Sequence, residues 1–136
     1  MTKKVDLDRY ANFVDGVTSN PSKDYKSFLD AIKYLDGEGS NIHRLLTAAV
    51  GISAEGGEFM EIVKKMVFQG KPWNDDNRKH LTIELGDVMW YVMQACMALE
   101  IPLDEVIAGN VEKLKKRYPG GEFNVYQSEN RAKGDL

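Results

Sequence analysis

The sequence predicts an all-α fold, a helical bundle of about five helices formed by residues 1–136 as a single domain. Three observations support this prediction. Apolar residues recur at helical spacing in five segments, and capping residues or helix breakers stand at the ends of those segments. The chain is also long enough for one domain with a core of useful size.

Two helices are predicted in residues 1–40. The first runs from its N-cap Asp6 to about Val17, and the second runs from its N-cap Ser22 to about Leu35. Neither carries a pattern that indicates chemistry. Both are therefore interpreted as packing elements.

Three helices are predicted in residues 41–118. They run from about Ile42 to Phe68, from about Asp76 to Leu99, and from about Pro102 to Tyr118. Asn74 or Asp75 is expected to cap the middle one, after a loop that contains glycine and proline. Residues 119–136 form a polar tail whose role no pattern indicates.

Two pairs of acids are placed unusually, because each lies within the apolar stripe of its helix. Glu55 and Glu58 are three residues apart on the first long helix, as are Glu84 and Asp87 on the second, and residues at this spacing share a helix face. At about 100° per residue, Glu55 and Glu84 fall inside the apolar arcs, and their partners fall at the edges. Glu61, in contrast, points to the opposite side and is interpreted as a solvated residue.

Four acids in this position are expected to bind cations, because buried carboxylates that repel one another are costly. The two stripes hold no matching run of basic residues, so a divalent metal is the expected partner. Ligation by oxygen alone favours Mg²⁺ or Mn²⁺ over zinc or copper. The alternative is that acids three residues apart are simply solvated, as is common on helices, but two pairs inside apolar arcs weigh against it.

The composition argues against two broad classes of protein. A formal net charge of −3 is unlike that of a general nucleic-acid binder, whose affinity depends on a basic surface. No apolar run reaches the roughly 20 residues that cross a membrane. A cytoplasmic location is therefore expected, and the single cysteine, Cys96, is interpreted as a packed thiol in an apolar helix.

The second long helix indicates a homo-oligomer, a dimer or a tetramer. From Val88 to Leu99 it is apolar on nearly every side, and such a helix must be covered on every side. A chain of this size can hardly cover it alone. Gly56, on the apolar arc of the first long helix, is expected at a close approach of another helix, because glycine inside a helix costs about 1 kcal/mol relative to alanine.

The last predicted helix carries a polar flank made by Asn110, Lys113 and Arg117. An amide and two cations at this spacing suit the oxygens of phosphate groups. The alternative is an ordinary solvated flank, and the spacing alone favours that alternative.

Three blocks in order resemble the motifs of MazG-like nucleotide pyrophosphohydrolases, which belong to the all-α NTP pyrophosphatase superfamily. The blocks are Ala54–Phe59, Glu84–Tyr91 and Asn110–Pro119, and together with their flanks they cover about half the chain. The segments Arg117–Gly121 and Ser128–Arg131 look like the short, single-domain branch found in phages and bacteria.

The resemblance implies hydrolysis of nucleoside triphosphates between the α and β phosphates, in a four-helix-bundle-like dimer or a dimer of dimers. By this resemblance, residues 41–118 contain the catalytic helices. The four acids Glu55, Glu58, Glu84 and Asp87 would hold Mg²⁺, and Glu58 would also serve as general base.

The resemblance also suggests how the substrate is held. Lys113 and Arg117 would bind the phosphate tail, and Asn110 would bind sugar or phosphate. The candidates for contacts with the base are Lys71, Trp73 and Tyr91. Some relatives carry a further acid next to the first glutamate, where this chain has Gly56, so the number of metal ions stays open.

Three alternatives to this function remain at the level of sequence. One is a non-catalytic helical module whose acids face a binding partner. Another is a dUTPase-like or phosphoribosyl-ATP pyrophosphohydrolase activity, which shares the metal site and differs in the base pocket. A di-iron carboxylate bundle is disfavoured, because neither His43 nor His80 stands three residues after a glutamate.

Overall fold

The structure, a computed structural model, describes residues 3–136, and these residues are all-helical, with seven α-helices. They divide into two compact units, one up to Ile42 and one over His43–Leu136. None of the helices in the described chain is long and apolar enough to cross a lipid bilayer. The all-α prediction is confirmed, and two short helices are added to the five that the sequence predicted.

The first unit consists of three helices, α1 (Leu7–Gly16), α2 (Asn20–Lys23) and α3 (Tyr25–Gly37). Asp6 caps α1 as predicted, since its carboxylate accepts the backbone N–H of Arg9 at 3.0 Å. The prediction of Ser22 as the next cap is wrong. Asp24 caps α3 instead, because the chain makes one extra helical turn, α2, before α3 begins, and the Asp24 carboxylate accepts the N–H of Ser27.

The second unit contains four helices, of which α4 begins at the unit boundary. They are α4 (Ile42–Phe68), α5 (Asp75–Leu99), α6 (Leu103–Arg117) and α7 (Val125–Glu129). The loop after α4 turns at Gly70, whose φ of 71° lies in the left-handed region that glycine adopts without strain. Asn74 then caps α5 by accepting the N–H of Asn77 at 2.8 Å.

Helices α4 and α5 form an antiparallel hairpin with a definite register. Gly51 lies against Tyr91, and Glu55 lies beside Asp87, so four residues forward along α4 correspond to four residues back along α5. The backbone of α4 approaches the Tyr91 ring so closely that a β-carbon at position 51 would overlap it. The close approach that the sequence suggested for Gly56 therefore occurs one and a half turns earlier.

The interior of the second unit is small. Its most buried apolar side chains are Ala48 and Ile62 on α4, with Cys96 and Ala98 on α5. The burial of Cys96 confirms the interpretation of a packed thiol. Many large apolar side chains on α5 are exposed in the described structure, namely Ile83, Leu85, Met89, Trp90, Met93, Met97 and Leu99.

Candidate metal centre

The α4–α5 hairpin brings three of the four predicted acids together. Glu55, Glu84 and Asp87 each offer a carboxylate oxygen, and these oxygens lie within 4.8 Å of one another. Glu84 and Asp87 come from one turn of α5, because their three-residue spacing places them on the same face. Glu55 reaches them from α4. Three carboxylates from two helices thus converge on one point.

The environment of Glu55 disfavours its charged form. Partial burial is the main cause of its raised pKa, and the negative charges of Asp87 and Glu84 add to the effect. Glu58 contributes a smaller repulsion of the same sign. A divalent cation at this point would reverse the balance, since it favours the deprotonated carboxylate.

Glu58 lies at the rim of this cluster. It is exposed and is not one of the three acids whose oxygens converge, although its charge acts on Glu55. Glu61, which the sequence assigned to solvent, pairs with Lys64 at 3.1 Å and with Lys65 at 3.6 Å. The two glutamates therefore face different surroundings although they stand on the same helix.

His80 contacts the cluster from α5, and the sequence did not identify it. Its Nε2 lies 3.1 Å from a carboxylate oxygen of Glu84, one helical turn further along. Such a contact fixes the orientation of the carboxylate. The signal was present in the spacing, since His80 stands four residues before Glu84 and shares its face.

A cavity of about 360 Å³ opens beside the acids and is lined by Glu55, Asp87, Trp90 and Tyr91. The Trp90 and Tyr91 rings meet edge to face, with centroids 4.9 Å apart and planes at 85°. Trp90 is 57% exposed, so its ring is available to a ligand. Tyr91 was predicted from the sequence as a contact of the nucleotide base, whereas Trp90 was not. Trp90 stands three residues after Asp87 and shares its helix face.

The donor set fits a hard divalent cation. All three converging groups are carboxylates, which suit Mg²⁺ or Mn²⁺, and the imidazole of His80 is directed at Glu84. The cavity that Glu55 and Asp87 line leaves room beside them for ligand oxygens or water. The identity of the metal stays a prediction.

The polar flank of α6 is divided in the structure. Asn110 and Lys113 are exposed, whereas Arg117 is largely buried against the C-terminal tail, which we define as residues 119–136. The Arg117 guanidinium donates two hydrogen bonds to the carboxylate of Asp135. Lys113 and Arg117 line a common cavity with the tail, and Asn110 is not among its lining residues.

The two loop candidates occupy the α4–α5 connection. Trp73 is 70% exposed, and Lys71 is half-buried, with its N–H donated to the Lys65 carbonyl at 3.0 Å. Neither residue lines the cavity beside the acids. Their contact with a ligand stays a prediction.

Comparison with known proteins places these observations in a family. The model of the MazG nucleotide pyrophosphohydrolase domain matches residues 44–121, a range that includes Glu55, Glu58, Glu84 and Asp87. The Gene 37 protein of Mycobacterium phage L5 is 37% identical over 87 residues, which cover 62% of this chain and 75% of that protein. No solved structure matches the chain. The chain belongs to the MazG nucleotide pyrophosphohydrolase family.

Proposed function

We propose that the chain is a cytoplasmic enzyme that hydrolyses nucleoside triphosphates, either deoxy or ribo, to the monophosphate and pyrophosphate with the help of Mg²⁺ or Mn²⁺. The observation that carries this proposal is the convergence of Glu55, Glu84 and Asp87 within 4.8 Å in a chain of the MazG family. Hydrolysis at the α phosphorus consumes one water and releases one proton with the two products.

The three converging carboxylates would hold the metal, which when bound neutralises charge on the phosphates and lowers the pKa of the attacking water. Glu58 would accept the proton of that water. It is exposed at the rim, within electrostatic reach of Glu55, and its carboxylate is not one of the three that converge. A base in this position can exchange its proton with solvent after each turnover.

The cavity next to the acids suits a nucleobase. Trp90 and Tyr91 present aromatic surface beside Glu55 and Asp87. The base of a nucleotide can stack there while the phosphates of the same nucleotide reach the metal that the carboxylates would hold. Trp73 and Lys71, in the connecting loop, are proposed as further contacts. Stacking tolerates many bases, so this arrangement favours no particular nucleotide.

The phosphate tail requires cations besides the metal. Lys113 and Arg117 of α6 are proposed for this role, with Asn110 as a contact to sugar or phosphate. Arg117 offers the planar fork of donors that matches phosphate oxygens, and it already binds a carboxylate in this way.

We also propose that the enzyme is a homo-oligomer, a dimer or a tetramer. Met89, Met93 and Met97 recur at helical spacing on α5 and are each more than 40% exposed, as are the other large apolar side chains of this helix named above. A second copy packing its helices here would remove this apolar surface from water. Light scattering across a dilution series measures the state, and a monomer at all concentrations would contradict this part of the proposal.

The activity is tested by measuring pyrophosphate and monophosphate release from a panel of nucleoside triphosphates and phosphoribosyl-ATP, with Mg²⁺ and with a chelator. The panel includes canonical, deoxy and modified nucleotides, so the ranking names the substrate class. Preference for dUTP or for phosphoribosyl-ATP would select one of the related activities instead.

Three variants separate catalysis from folding. Glu55→Gln and Asp87→Asn remove one converging carboxylate each and should abolish turnover while leaving the helical content intact. Glu61→Gln makes the same chemical change on the same helix, at a residue paired with Lys64 and Lys65, and should leave turnover unchanged. Full activity in either of the first two variants would refute the proposed site, and a folded protein inactive on the whole panel would favour the binding module.

A further inference from the structure

A second cavity, of about 500 Å³, lies between the last turns of α6 and the C-terminal tail. The residues that line it include five cations and, among the described residues, a single acid, Asp135. The cations are Lys113, Lys116, Arg117, Arg131 and Lys133. The cavity shares no lining residue with the one beside the metal centre.

Asp135 lines the cavity together with these cations and binds one of them, Arg117. Its two carboxylate oxygens accept from Nε and Nη2 of Arg117 at 2.9 and 2.7 Å, the paired geometry in which a guanidinium also binds phosphate. The two side chains are only 9% and 12% exposed. The contact is therefore a specific one, sheltered from water, rather than a loose surface ion pair.

A turn in the tail places the Asp135 carboxylate next to Arg117. After α7 the chain turns back through Ala132, whose carbonyl accepts the N–H of Asp135 at 3.0 Å. The turn includes Gly134, which has a φ of 88°, a conformation that favours glycine. Arg131 donates its Nε to the Ser128 carbonyl at 3.1 Å, which orients its guanidinium. The tail thus contributes both the acid and two of the cations.

Several positive groups act on this one carboxylate. The hydrogen bonds from Arg117 are the main reason why the pKa of Asp135 lies below its ordinary value, and the charges of Lys113 and Arg131 lower it further. One carboxylate offsets one positive charge out of five in the lining. The remaining excess of positive charge calls for a ligand with several negative charges.

We propose that this cavity binds an oligophosphate group, such as pyrophosphate or the triphosphate of a nucleotide, and that Asp135 closes it by occupying Arg117 until the phosphates displace the Asp135 carboxylate. Arg131 and Lys133 then serve as phosphate ligands besides the residues of α6. The inference rests on the proposed function for its choice of pyrophosphate, which is a product of the reaction.

The first experiment is calorimetric titration of the whole chain with inorganic pyrophosphate and tripolyphosphate in the presence of EDTA, so that no hydrolysis occurs. Asp135→Asn removes the competing charge. If the closed state is populated about nine-tenths of the time, the variant should bind about tenfold more tightly than the wild type. Replacing Arg131 and Lys133 together by glutamine should weaken binding by about tenfold or more, because charged hydrogen bonds are lost.

Glu129→Gln is the matched control for Asp135→Asn. It removes one negative charge from the same tail, at an exposed residue outside the cavity lining, and should leave the affinity unchanged. Equal or weaker binding by Asp135→Asn would overturn the proposal, because Asp135 would then act only as a structural tie. The same holds if the Arg131 and Lys133 substitutions have no effect.

A measurement on the wild-type protein tests the same proposal without relying on variants that could misfold. Hydrogen exchange of the Asp135 amide, which is bonded to the Ala132 carbonyl, reports whether the turn opens. The proposal expects faster exchange when pyrophosphate is added, and unchanged or slower exchange contradicts it. Pyrophosphate binding with these effects in an inactive protein would leave the inference standing while the proposed hydrolysis fails.

The source of the phosphates follows from a comparison in the same buffer. Binding of ATP that is tighter than that of tripolyphosphate, and that the Arg131 and Lys133 substitutions weaken, would show that a nucleotide occupies the cavity. Equal or weaker binding of ATP would show that a free oligophosphate does. Either result supports an oligophosphate site. Absence of binding by all of these ligands, to the wild type and to Asp135→Asn alike, refutes it.

Discussion

Replacing Gly51 by alanine is the most direct test of the hairpin that builds the candidate metal centre. Glycine at this position lets the backbone of α4 approach the ring of Tyr91, and a β-carbon would overlap three atoms of that ring. The ring is half-buried and lines the cavity beside Glu55, so it cannot move without disturbing the site. We expect Gly51→Ala to destabilise the protein.

The size of the effect follows from two opposing terms. Alanine in a helix interior is favoured over glycine by about 1 kcal/mol. Forcing extra atoms into a packed contact costs about 1 to 3 kcal/mol, and overlap with a ring places this case at about 3 kcal/mol. The net loss is therefore about 2 kcal/mol, which for a chain of this length lowers the Tm by about 8 °C.

The assay is thermal unfolding followed by circular dichroism in EDTA, with every variant at the same protein concentration because an oligomer's Tm depends on it. Gly57→Ala is the matched control. No described atom lies within 4 Å of a β-carbon built there, so this variant should gain about 1 kcal/mol. When Tyr91 is already alanine, the further change Gly51→Ala should cause little of the loss in stability that it causes in the wild type, because the ring is absent. A Gly51→Ala protein that melts at or above the wild-type temperature would refute the close approach.

Three further outcomes are expected around the metal centre. Because the pKa of Glu55 is raised, its protonation stabilises the metal-free fold at acid pH, and this contribution is lost as the pH rises through the raised pKa. In EDTA, the Tm of Glu55→Gln should therefore fall less than the Tm of the wild type between about pH 4 and about pH 8. His80→Ala should weaken Mn²⁺ binding by about tenfold in calorimetry, whereas His43→Ala, at the start of α4, should not. In a Trp73→Phe protein, Mn²⁺ should quench the fluorescence of Trp90, and unquenched emission would place the metal elsewhere.

Much of the site could be predicted from the sequence because helix periodicity is a local property. The three-residue spacing of Glu84 and Asp87 fixes their shared face whatever the rest of the chain does. The apolar arc containing Glu55 indicates the face that turns inward. The position of each long helix followed in the same way, from capping residues such as Asn74 that act over only three or four positions.

Contacts between helices could not be predicted in this way, because they depend on the register of the hairpin. The sequence marked Gly56 as the point of close approach, but the helices meet at Gly51 against Tyr91. The register is set by the loop after α4, where Gly70 turns the chain and Asn74 starts α5.

The contacts of the C-terminal tail could not be predicted from the sequence, for a different reason. Asp135 binds Arg117 across 18 positions of sequence, through a turn at Gly134 that has no periodic pattern. The sequence suggested Arg117 as a ligand of phosphate, which stays a prediction. Its partner in the described structure is nevertheless an acid of the same chain, which periodicity has no means to show.

The hairpin joins the stability of the fold to the proposed chemistry. The same register that seats Tyr91 on Gly51 brings Glu55 to Asp87, so the fold cannot form its tightest contact without also bringing acids together. In the absence of metal this works against folding, as the raised pKa of Glu55 indicates. A cation that binds the folded state alone removes the repulsion and adds its own binding free energy to the stability of the fold. An acid cluster formed in this way stays poised for a metal at the cost of some stability, which is the pattern expected of a functional site rather than of a solvated surface.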